Sequence, residues 1–192
     1  MLYRVCAALT LAAVAAGVQT AAGQAAAPPP EPGPKVGDVA PNFNVSGATK
    51  DGVSKSPVSL AAFKGQTVVL AFFPKARTTG CTAQMTHYRD LWASLFNSGK
   101  GITVIGISTD ADTTLANWAK EANLPMLFAS DAAGDIGRAY GALSGSATRE
   151  ARLLYIVGPD GKIASTTKPF KPMVEDSYTE LGAQLKKIAG TK

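Results

Sequence analysis

Cys81 is the side chain of this sequence best suited to covalent chemistry, and it lies in the stretch "FFPKARTTGCTAQMTHYRD". An apolar run typical of a buried strand precedes it, and apolar residues at helical spacing follow it. A cysteine in the first turn of a helix meets unpaired backbone N–H groups and the positive end of the helix dipole, which favour the thiolate over the thiol. Because the thiolate is the nucleophilic form, this position indicates reactivity.

The neighbours of Cys81 extend this interpretation. Thr78 and Thr79 precede it and could cap the helix, while Arg77 brings positive charge nearby in sequence. Met85 lies four residues later and shares the helical face of the cysteine. We therefore expect Cys81 to be partly shielded, at the bottom of a shallow pocket.

Plainer roles for Cys81 stay open at this level. A lone cysteine is most often a buried packing residue. A metal site needs several ligands, and the only histidine, His87, lies six residues further on and well around the helix. A Cys-His hydrolase would need the same histidine and is disfavoured for the same reason. We expect no metal site and no bound cofactor, and we expect His87 to be a helix residue near the surface.

The elements around this stretch predict an α/β fold, a central mixed β-sheet flanked by helices. Strands are predicted at 67–73, 102–108, within 124–129, 152–157 and 163–167. Helices are predicted at 81–96, 115–122, 133–140 and 175–189. The first two strands and the helix between them should form a parallel βαβ unit, and the turn "GPDGK" should join the last two strands as an antiparallel hairpin at one edge.

The N-terminal residues differ from the rest in composition. Met1–Arg4 carries one positive charge, and 5–18 is an uncharged, Ala-rich apolar run that is shorter than the roughly 20 residues of a membrane span. This pattern predicts a secretory signal peptide over 1–23, with cleavage favoured over a retained anchor. A Pro/Ala-rich extended tether is predicted over 24–35 and the folded domain over 36–192. An exported protein, periplasmic or secreted, is expected.

The overall composition fits one globular domain, with 192 residues of which 46% are apolar and 17% charged. The net charge of +5 is scattered rather than gathered into an arginine-rich stripe, so nucleic-acid binding is not expected. Of the two cysteines, Cys6 lies in the predicted signal peptide. The mature chain is then predicted to keep Cys81 alone, which is unusual in an exported protein.

The residues around Cys81 resemble a known family. The spacing Pro74-x-x-x-Thr78-x-x-Cys81 is similar to the signature of the peroxiredoxins, the alkyl hydroperoxide reductase/thiol-specific antioxidant superfamily. The longer stretch looks like the bacterioferritin-comigratory-protein branch of that superfamily. "VIGISTD" at 104–110 and "RLLYIVGPDGKI" at 152–163 resemble later strands of the same branch. The resemblance covers the whole predicted domain, and four ordered matches make it specific.

The resemblance implies a thioredoxin-like fold and a thiol-dependent peroxidase that reduces hydrogen peroxide or organic hydroperoxides. By matching position, Cys81 is the peroxidatic cysteine, whose thiolate attacks a peroxide oxygen and becomes a sulfenic acid. Charge develops on the breaking O–O bond, and the site must offer donors to it. The hydroxyl of Thr78 and the backbone N–H groups of Gly80 and Cys81 would supply them.

Three further roles are implied in the same way. Arg152 matches the family arginine that holds the thiolate and the peroxide. Gln84 matches a position that helps to orient this arginine. Pro74 would shield the pocket from water.

Two departures from the branch affect the expected chemistry. Thr79 stands where proline is usual, which removes a restraint on the loop. Thr86 stands where many members carry a resolving cysteine. A one-cysteine mechanism is therefore expected, in which an external thiol, either a small thiol or a thioredoxin-like protein, reduces the sulfenic acid. A monomer or a homodimer is expected.

Two other functions compete with the peroxidase. A thiol–disulfide exchange protein normally needs a Cys-x-x-Cys pair, whereas Thr78 and Gln84 occupy the corresponding positions on either side of Cys81. A redox sensor could keep the fold without turnover. The joint presence of Pro74, Thr78, Cys81 and Arg152 argues against the sensor, because a pure binding protein has no need of that set.

Overall fold

Runs of apolar, often β-branched residues form the strands of a sheet, as in "TVVLAF" and "ITVIGIS". The structure is a computed structural model and describes residues 33–189. The predictions for residues 1–23 and for most of 24–35 concern residues outside this range.

The described residues form nine strands and five α-helices. The strands are β1 (Asn44–Val45), β2 (Gly47–Thr49), β3 (Gly52–Val53), β4 (Val58–Ser59), β5 (Thr67–Phe72), β6 (Ile102–Ser108), β7 (Leu127–Ser130), β8 (Leu154–Val157) and β9 (Ile163–Thr167). The helices are α1 (Thr79–Asp90), α2 (Trp92–Phe96), α3 (Asp112–Glu121), α4 (Asp135–Ala139) and α5 (Glu175–Ala189).

Seven strands make one mixed sheet in the order β3-β2-β7-β6-β5-β8-β9. β5 runs parallel to β6, and β6 runs parallel to β7. β8 is antiparallel to β5 and pairs with β9 as a hairpin at one edge. The predicted fold class, the parallel βαβ unit and the edge hairpin are confirmed. β5 is buried along its whole length because both faces of the sheet are covered.

The predicted helix at 81–96 is two helices. At Leu91 the backbone leaves helical geometry (φ −94°, ψ 13°), although its N–H still donates to the carbonyl of His87 at 3.0 Å. The first of the two helices begins at Thr79, because Thr78 is extended (φ −79°, ψ 151°) and its carbonyl accepts the first helical hydrogen bond. The second ends where Asn97 takes a left-handed conformation (φ 50°).

The strands β1 to β4 are absent from the sequence prediction. Each has only two or three residues, too few for an alternating pattern to show. β1 pairs with β4 outside the main sheet, while β2 and β3 extend the main sheet at the edge opposite the hairpin. Another boundary differs at β8, which begins at Leu154, so Arg152 lies just before the strand.

Two layers of core cover the two faces of the sheet. Alternate residues of β5 face opposite sides, so that Val69 and Ala71 pack with the layer that contains Cys81, and Val68 and Leu70 pack with the other. The layer with Cys81 also holds buried side chains from α1, α3 and α5. The cysteine is therefore part of a packed core.

Candidate active site

Cys81 is the third residue of α1 and is 0% exposed. The expectation of a partly shielded cysteine is therefore wrong in degree, because the side chain is fully enclosed. The reason lies in the helix face, since Met85 and Tyr88 point to the same side and are also 0% exposed. Within the described residues, Cys81 is the single free cysteine.

The start of α1 offers unpaired donors beside Cys81. The N–H of Thr82 donates to the carbonyl of Thr78 at 2.8 Å and is the first intrahelical bond. By helix geometry the N–H groups of Thr79, Gly80 and Cys81 have no carbonyl one turn earlier. These donors converge at the positive end of the helix dipole, which is where an anionic sulfur or oxygen is stabilised.

The predicted capping of α1 by a threonine side chain is wrong. Thr78 occupies the N-cap position, but no side chain there caps the helix. Its hydroxyl instead donates to the carbonyl of Lys75 at 2.9 Å, inside the loop that precedes the helix. The donated proton is thus committed, while the lone pairs of the Thr78 hydroxyl, which is exposed, stay available as acceptors.

Arg152 reaches the sulfur from 71 positions further along the chain. Its Nη2 donates to Sγ of Cys81 at 3.2 Å, and its Nη1 donates to Oε1 of Gln84 at 2.6 Å. Gln84 in turn donates from Nε2 to the hydroxyl oxygen of Tyr88 at 3.0 Å. One continuous chain of hydrogen bonds therefore joins Cys81, Arg152, Gln84 and Tyr88.

The two side chains at the far end of this hydrogen-bond chain, Gln84 and Tyr88, are buried and neutral. Gln84 and Tyr88 are both 0% exposed. Desolvation raises the pKa of Tyr88 well above its ordinary value, although the hydrogen bond from Gln84 lowers it in part. A neutral tyrosine and a neutral amide leave the guanidinium of Arg152 as the charged group in contact with the sulfur. Tyr88 is absent from the sequence prediction, although its spacing four residues after Gln84 was a usable signal.

The sheet explains how Arg152 arrives at Cys81. The N–H of Phe72 donates to the carbonyl of Leu153 at 2.9 Å, which extends the β5–β8 pairing by one residue. The N–H of Phe170 donates to the carbonyl of Arg152 itself at 3.0 Å. The arginine backbone is thereby fixed beside the carboxyl end of β5, where the loop to α1 begins.

Gly80 lies beside the guanidinium of Arg152, at ordinary contact distance. A Cβ on Gly80 would lie 3.4 Å from Nη2 of Arg152 and 3.9 Å from Cγ of Pro172. Pro74 follows β5 by two residues and is half-buried. Its proposed shielding of the pocket stays a prediction, as do the roles of the N–H groups and of Thr78 towards a peroxide.

The loop between β5 and α1 is fastened at two points. The N–H of Ala76 donates to Oδ2 of Asp110 at 2.7 Å. Arg77 takes a left-handed conformation (φ 61°), and its guanidinium binds both carboxylate oxygens of Glu121, at 2.7 and 3.0 Å. The positive charge of Arg77 thus points to α3, so the sulfur has Arg152 as its direct cationic partner.

His87 lies on another face of α1. Its ring stacks on Tyr178 with centroids 3.9 Å apart, and its Nε2 lies 3.3 Å from Oε2 of Glu175. The side chain is 35% exposed, near the surface as expected. Among residues 33–189, no group of three or more His, Cys, Asp or Glu side chains is placed to hold a metal ion.

Comparison with known proteins identifies the family of this chain. The profile described as "AhpC/TSA family" matches residues 36–166. Peroxiredoxin Bcp of Escherichia coli (strain K12) is 33% identical over 143 residues, which cover 71% of this chain and 87% of the relative. The chloroplastic peroxiredoxin Q of Triticum aestivum is 35% identical over 128 residues, 66% of this chain and 56% of the relative.

A solved structure shows the same fold. The crystal structure of peroxidoxin BcpB from Mycobacterium tuberculosis superposes with a TM-score of 0.68 and 26% sequence identity, covering 80% of this chain and 97% of that protein. The family profile and the similarity to Bcp both span most of the described residues. The chain therefore belongs to the AhpC/TSA family, as a peroxiredoxin similar to the Bcp and peroxiredoxin Q proteins and, like them, a thiol-dependent peroxidase.

Proposed function

We propose that this peroxiredoxin reduces hydrogen peroxide or an organic hydroperoxide at Cys81, and that an external thiol outside the cytoplasm then reduces the resulting sulfenic acid. One observation carries the proposal, the 3.2 Å contact between Nη2 of Arg152 and Sγ of Cys81 at the start of a helix. A hydrogen bond from a guanidinium is strongest to an anion, so the contact favours the thiolate.

The first step transfers one oxygen to sulfur. The thiolate of Cys81 attacks one peroxide oxygen, the S–O bond forms and the O–O bond breaks. The leaving oxygen takes a proton and departs as water or as an alcohol, and the sulfur keeps the other oxygen as a sulfenic acid. Sulfur is oxidised by two electrons and the peroxide is reduced by two.

The site supports the charge that moves during this step. Arg152 donates to the sulfur and lies beside the unpaired N–H groups at Gly80 and Cys81. These groups are held in place before the reaction, and a preorganised donor stabilises developing charge at little reorganisation cost. Thr78, whose proton is committed to Lys75, can accept the O–H of the peroxide and orient it.

Burial of Cys81 constrains how reactants reach it. Because Cys81 is 0% exposed, we expect even a small peroxide to reach the sulfur only through a local side-chain shift that leaves the backbone donors in place. A thiol reductant is larger, so we expect the first turn of α1 to open before the sulfenic acid is reduced. Reactivity and opening of this turn should therefore be linked.

The second half of the cycle needs another molecule. Thr86 donates its hydroxyl to the carbonyls of Thr82 and Ala83, at 2.8 and 3.2 Å, and a hydroxyl carries no thiol chemistry. An external thiol loses its proton and attacks the sulfenic sulfur as a thiolate. The S–S bond of a mixed disulfide forms, the S–O bond breaks, and the oxygen takes up the proton and leaves as water. A second thiol then displaces Cys81 as a thiolate and leaves a disulfide between the two reductants.

An exported, periplasmic or secreted location is part of this proposal. Its support is the sequence pattern of residues 1–23, a charged start followed by a short uncharged apolar run. Across residues 33–189, the helices are all too short or too polar to cross a membrane. A monomer or a homodimer stays our working proposal for the assembly.

The decisive experiment traps the oxidised cysteine. The protein is mixed with hydrogen peroxide or an organic hydroperoxide, and a sulfenic-acid probe is located by mass spectrometry, with Cys81→Ser as the control. We expect one adduct, on Cys81, and peroxide turnover when a small or protein thiol is added. Equal peroxide consumption by Cys81→Ser would refute the peroxidase proposal. An adduct without turnover under any thiol would favour the redox sensor.

A further inference from the structure

Glu150 is a buried acid that the reaction above does not use. It is 2% exposed, although the six residues before it, 144–149, are all exposed. It is thus the first buried residue after an exposed segment, and it precedes Arg152 by two positions. A contact that holds Glu150 in place therefore also restrains the backbone that leads to Arg152.

No donor of the described residues satisfies Glu150. Both of its carboxyl oxygens are buried and accept no hydrogen bond from a donor. An ionised carboxylate can only accept hydrogen bonds, and a buried one without donors is strongly disfavoured. A protonated carboxyl carries its own donor, so this environment favours the acid form.

Asp131 is the acceptor that the acid form can reach. A Cβ on Gly137 would lie 3.0 Å from Oε1 of Glu150 and 3.3 Å from Oδ2 of Asp131, so both carboxyl groups lie against the same glycine. Asp131 is itself 1% exposed, and its oxygens accept the N–H groups of Ile136 at 3.1 Å and Gly137 at 2.7 Å. Each oxygen keeps a further lone pair, which can accept a hydrogen bond from the protonated carboxyl of Glu150.

The charges that face Glu150 are acidic. Asp131 follows β7 and Asp110 follows β6, and both act on it. The basic side chain of α4, Arg138, is directed to Asp135 and to the carbonyl of Ala133. Burial first, and then hydrogen bonding to Asp131 and the charges of both aspartates, raise the pKa of Glu150 to about 9.

We infer that Glu150 is a positioning residue for Arg152. The protonated carboxyl of Glu150 fastens the segment leading into β8 against Asp131. Ionisation of Glu150 releases that segment and weakens the contact of Arg152 with Cys81. This inference deepens the proposed function and rests on it. The backbone at Arg152 is fixed on its C-terminal side by two hydrogen bonds. One runs from the N–H of Phe170 to the carbonyl of Arg152, and the other joins the carbonyl of Leu153 to β5. Glu150 supplies the corresponding attachment on the N-terminal side, together with the 2.6 Å hydrogen bond from the N–H of Ala151 to the carbonyl of Ala142.

The test is the pH profile of Cys81 oxidation. The second-order rate constant with hydrogen peroxide is measured by stopped-flow tryptophan fluorescence from neutral to alkaline pH. The wild-type rate constant should fall above about pH 9. One pH unit above the pKa of Glu150, it should be about ten-fold lower than at neutral pH. In Glu150→Gln the amide still donates to Asp131 but does not ionise, so the fall should disappear. Asp135→Asn, a change at an exposed acid of α4, the short helix that contains Gly137, should keep it.

Two further measurements separate positioning from loss of folding. Glu150→Ala should lower the rate at neutral pH by several-fold, and glutamine should rescue what alanine loses, since it restores the donor. Carbon-detected NMR of the wild-type Glu150 carboxyl requires no variant and should show a proton retained well above pH 7. A carboxyl that titrates in the ordinary acidic range, or a glutamine variant with an unchanged alkaline fall, would overturn the inference. Failure of Cys81 to react at any pH would instead refute the proposed function.

Discussion

Two arginines hold the region around Cys81, and they do so in opposite environments. Arg77 binds Glu121 through two N–H groups, and the two side chains are 42% and 59% exposed. Arg152 donates to Cys81 and Gln84, both of which are fully buried. Water and salt compete with the first pair, while the second is shielded from both.

The difference shows that hydrogen-bond geometry alone does not tell which of these contacts contributes more free energy. The exposed pair has hydrogen-bond distances of 2.7 and 3.0 Å, similar to the 2.6 and 3.2 Å of Arg152 in the site, yet an exposed pair adds only about 0–1 kcal/mol. A buried partner left without its donor costs several times more. We therefore expect the reactivity of Cys81 to depend on Arg152, and the loop conformation to depend only weakly on Arg77.

The largest effect should follow removal of the buried contact. Arg152→Met keeps an unbranched side chain but removes the charge and the donors. We expect the rate constant for Cys81 oxidation by hydrogen peroxide to fall about 10²- to 10³-fold, as for other preorganised donors. Arg149→Met, three residues earlier and exposed, is the matched control and should react like the wild type. If the rate constant of Arg152→Met fell by less than about three-fold, the buried contact of Arg152 would matter no more than the exposed contact of Arg77.

Glu150 offers the next largest effect, on stability rather than rate. The unfolded carboxyl loses its proton near its ordinary pKa of 4.5, whereas the folded one keeps it to about 9. Between these values the unfolded state binds fewer protons, so the free energy of unfolding falls as pH rises, by about 1.4 kcal/mol per pH unit. Urea denaturation at several pH values should show this slope in the wild type and its loss in Glu150→Gln. Parallel curves for the two proteins would contradict the burial of a protonated acid.

Gln84→Leu should have a smaller effect on the same site. Leucine fits the buried position but cannot accept the 2.6 Å hydrogen bond from Arg152. We expect about a ten-fold lower rate of Cys81 oxidation, the order of one hydrogen bond to a charged group. Tyr88→Phe, which removes only the far end of the chain, should lower the rate less. A larger loss in Tyr88→Phe than in Gln84→Leu would show that the chain does not act through Gln84.

The smallest effect should come from the exposed pair. Arg77→Gln should lower the free energy of unfolding by at most about 1 kcal/mol, and the difference from the wild type should shrink in high salt. The rate of Cys81 oxidation should stay within about two-fold of the wild type. Denaturation at low and high salt measures the first expectation. A large, salt-independent loss would mean that the loop depends on Arg77 as strongly as the sulfur depends on Arg152.

The pattern of apolar residues predicted the five longer strands of the sheet and helix α5 well, because burial imposes a period on both kinds of element. β6, β9 and α5 have the predicted bounds. The edge strands β1 to β4 have too few residues to show a period. The break at Leu91 is equally local, since the hydrogen bonds continue on both sides of it.

The site was predictable where one residue type at one position carries the chemistry. Helix position singled out Cys81, and the resemblance alone singled out Arg152; the structure brings the two into contact. The direction of a side chain is a different matter, because it depends on acceptors nearby in space. Thr78 has the right type for a cap but finds the carbonyl of Lys75 instead. Glu150 could not be recognised at all, because its partner Asp131 comes close only through the order of the strands.

Thr86 has a consequence for the fate of oxidised protein. With a hydroxyl bonded to its own helix, the residue offers nothing to capture a sulfenic acid formed one turn away. Cys81 is the single cysteine among residues 33–189, so under the proposed function each oxidised Cys81 waits for a molecule from solution, and both a thiol and a second peroxide compete for it. The second peroxide would give a sulfinic acid, which ordinary thiols do not reduce. The ratio of thiol to peroxide around the protein thus sets how many turnovers a molecule completes before it is permanently inactivated.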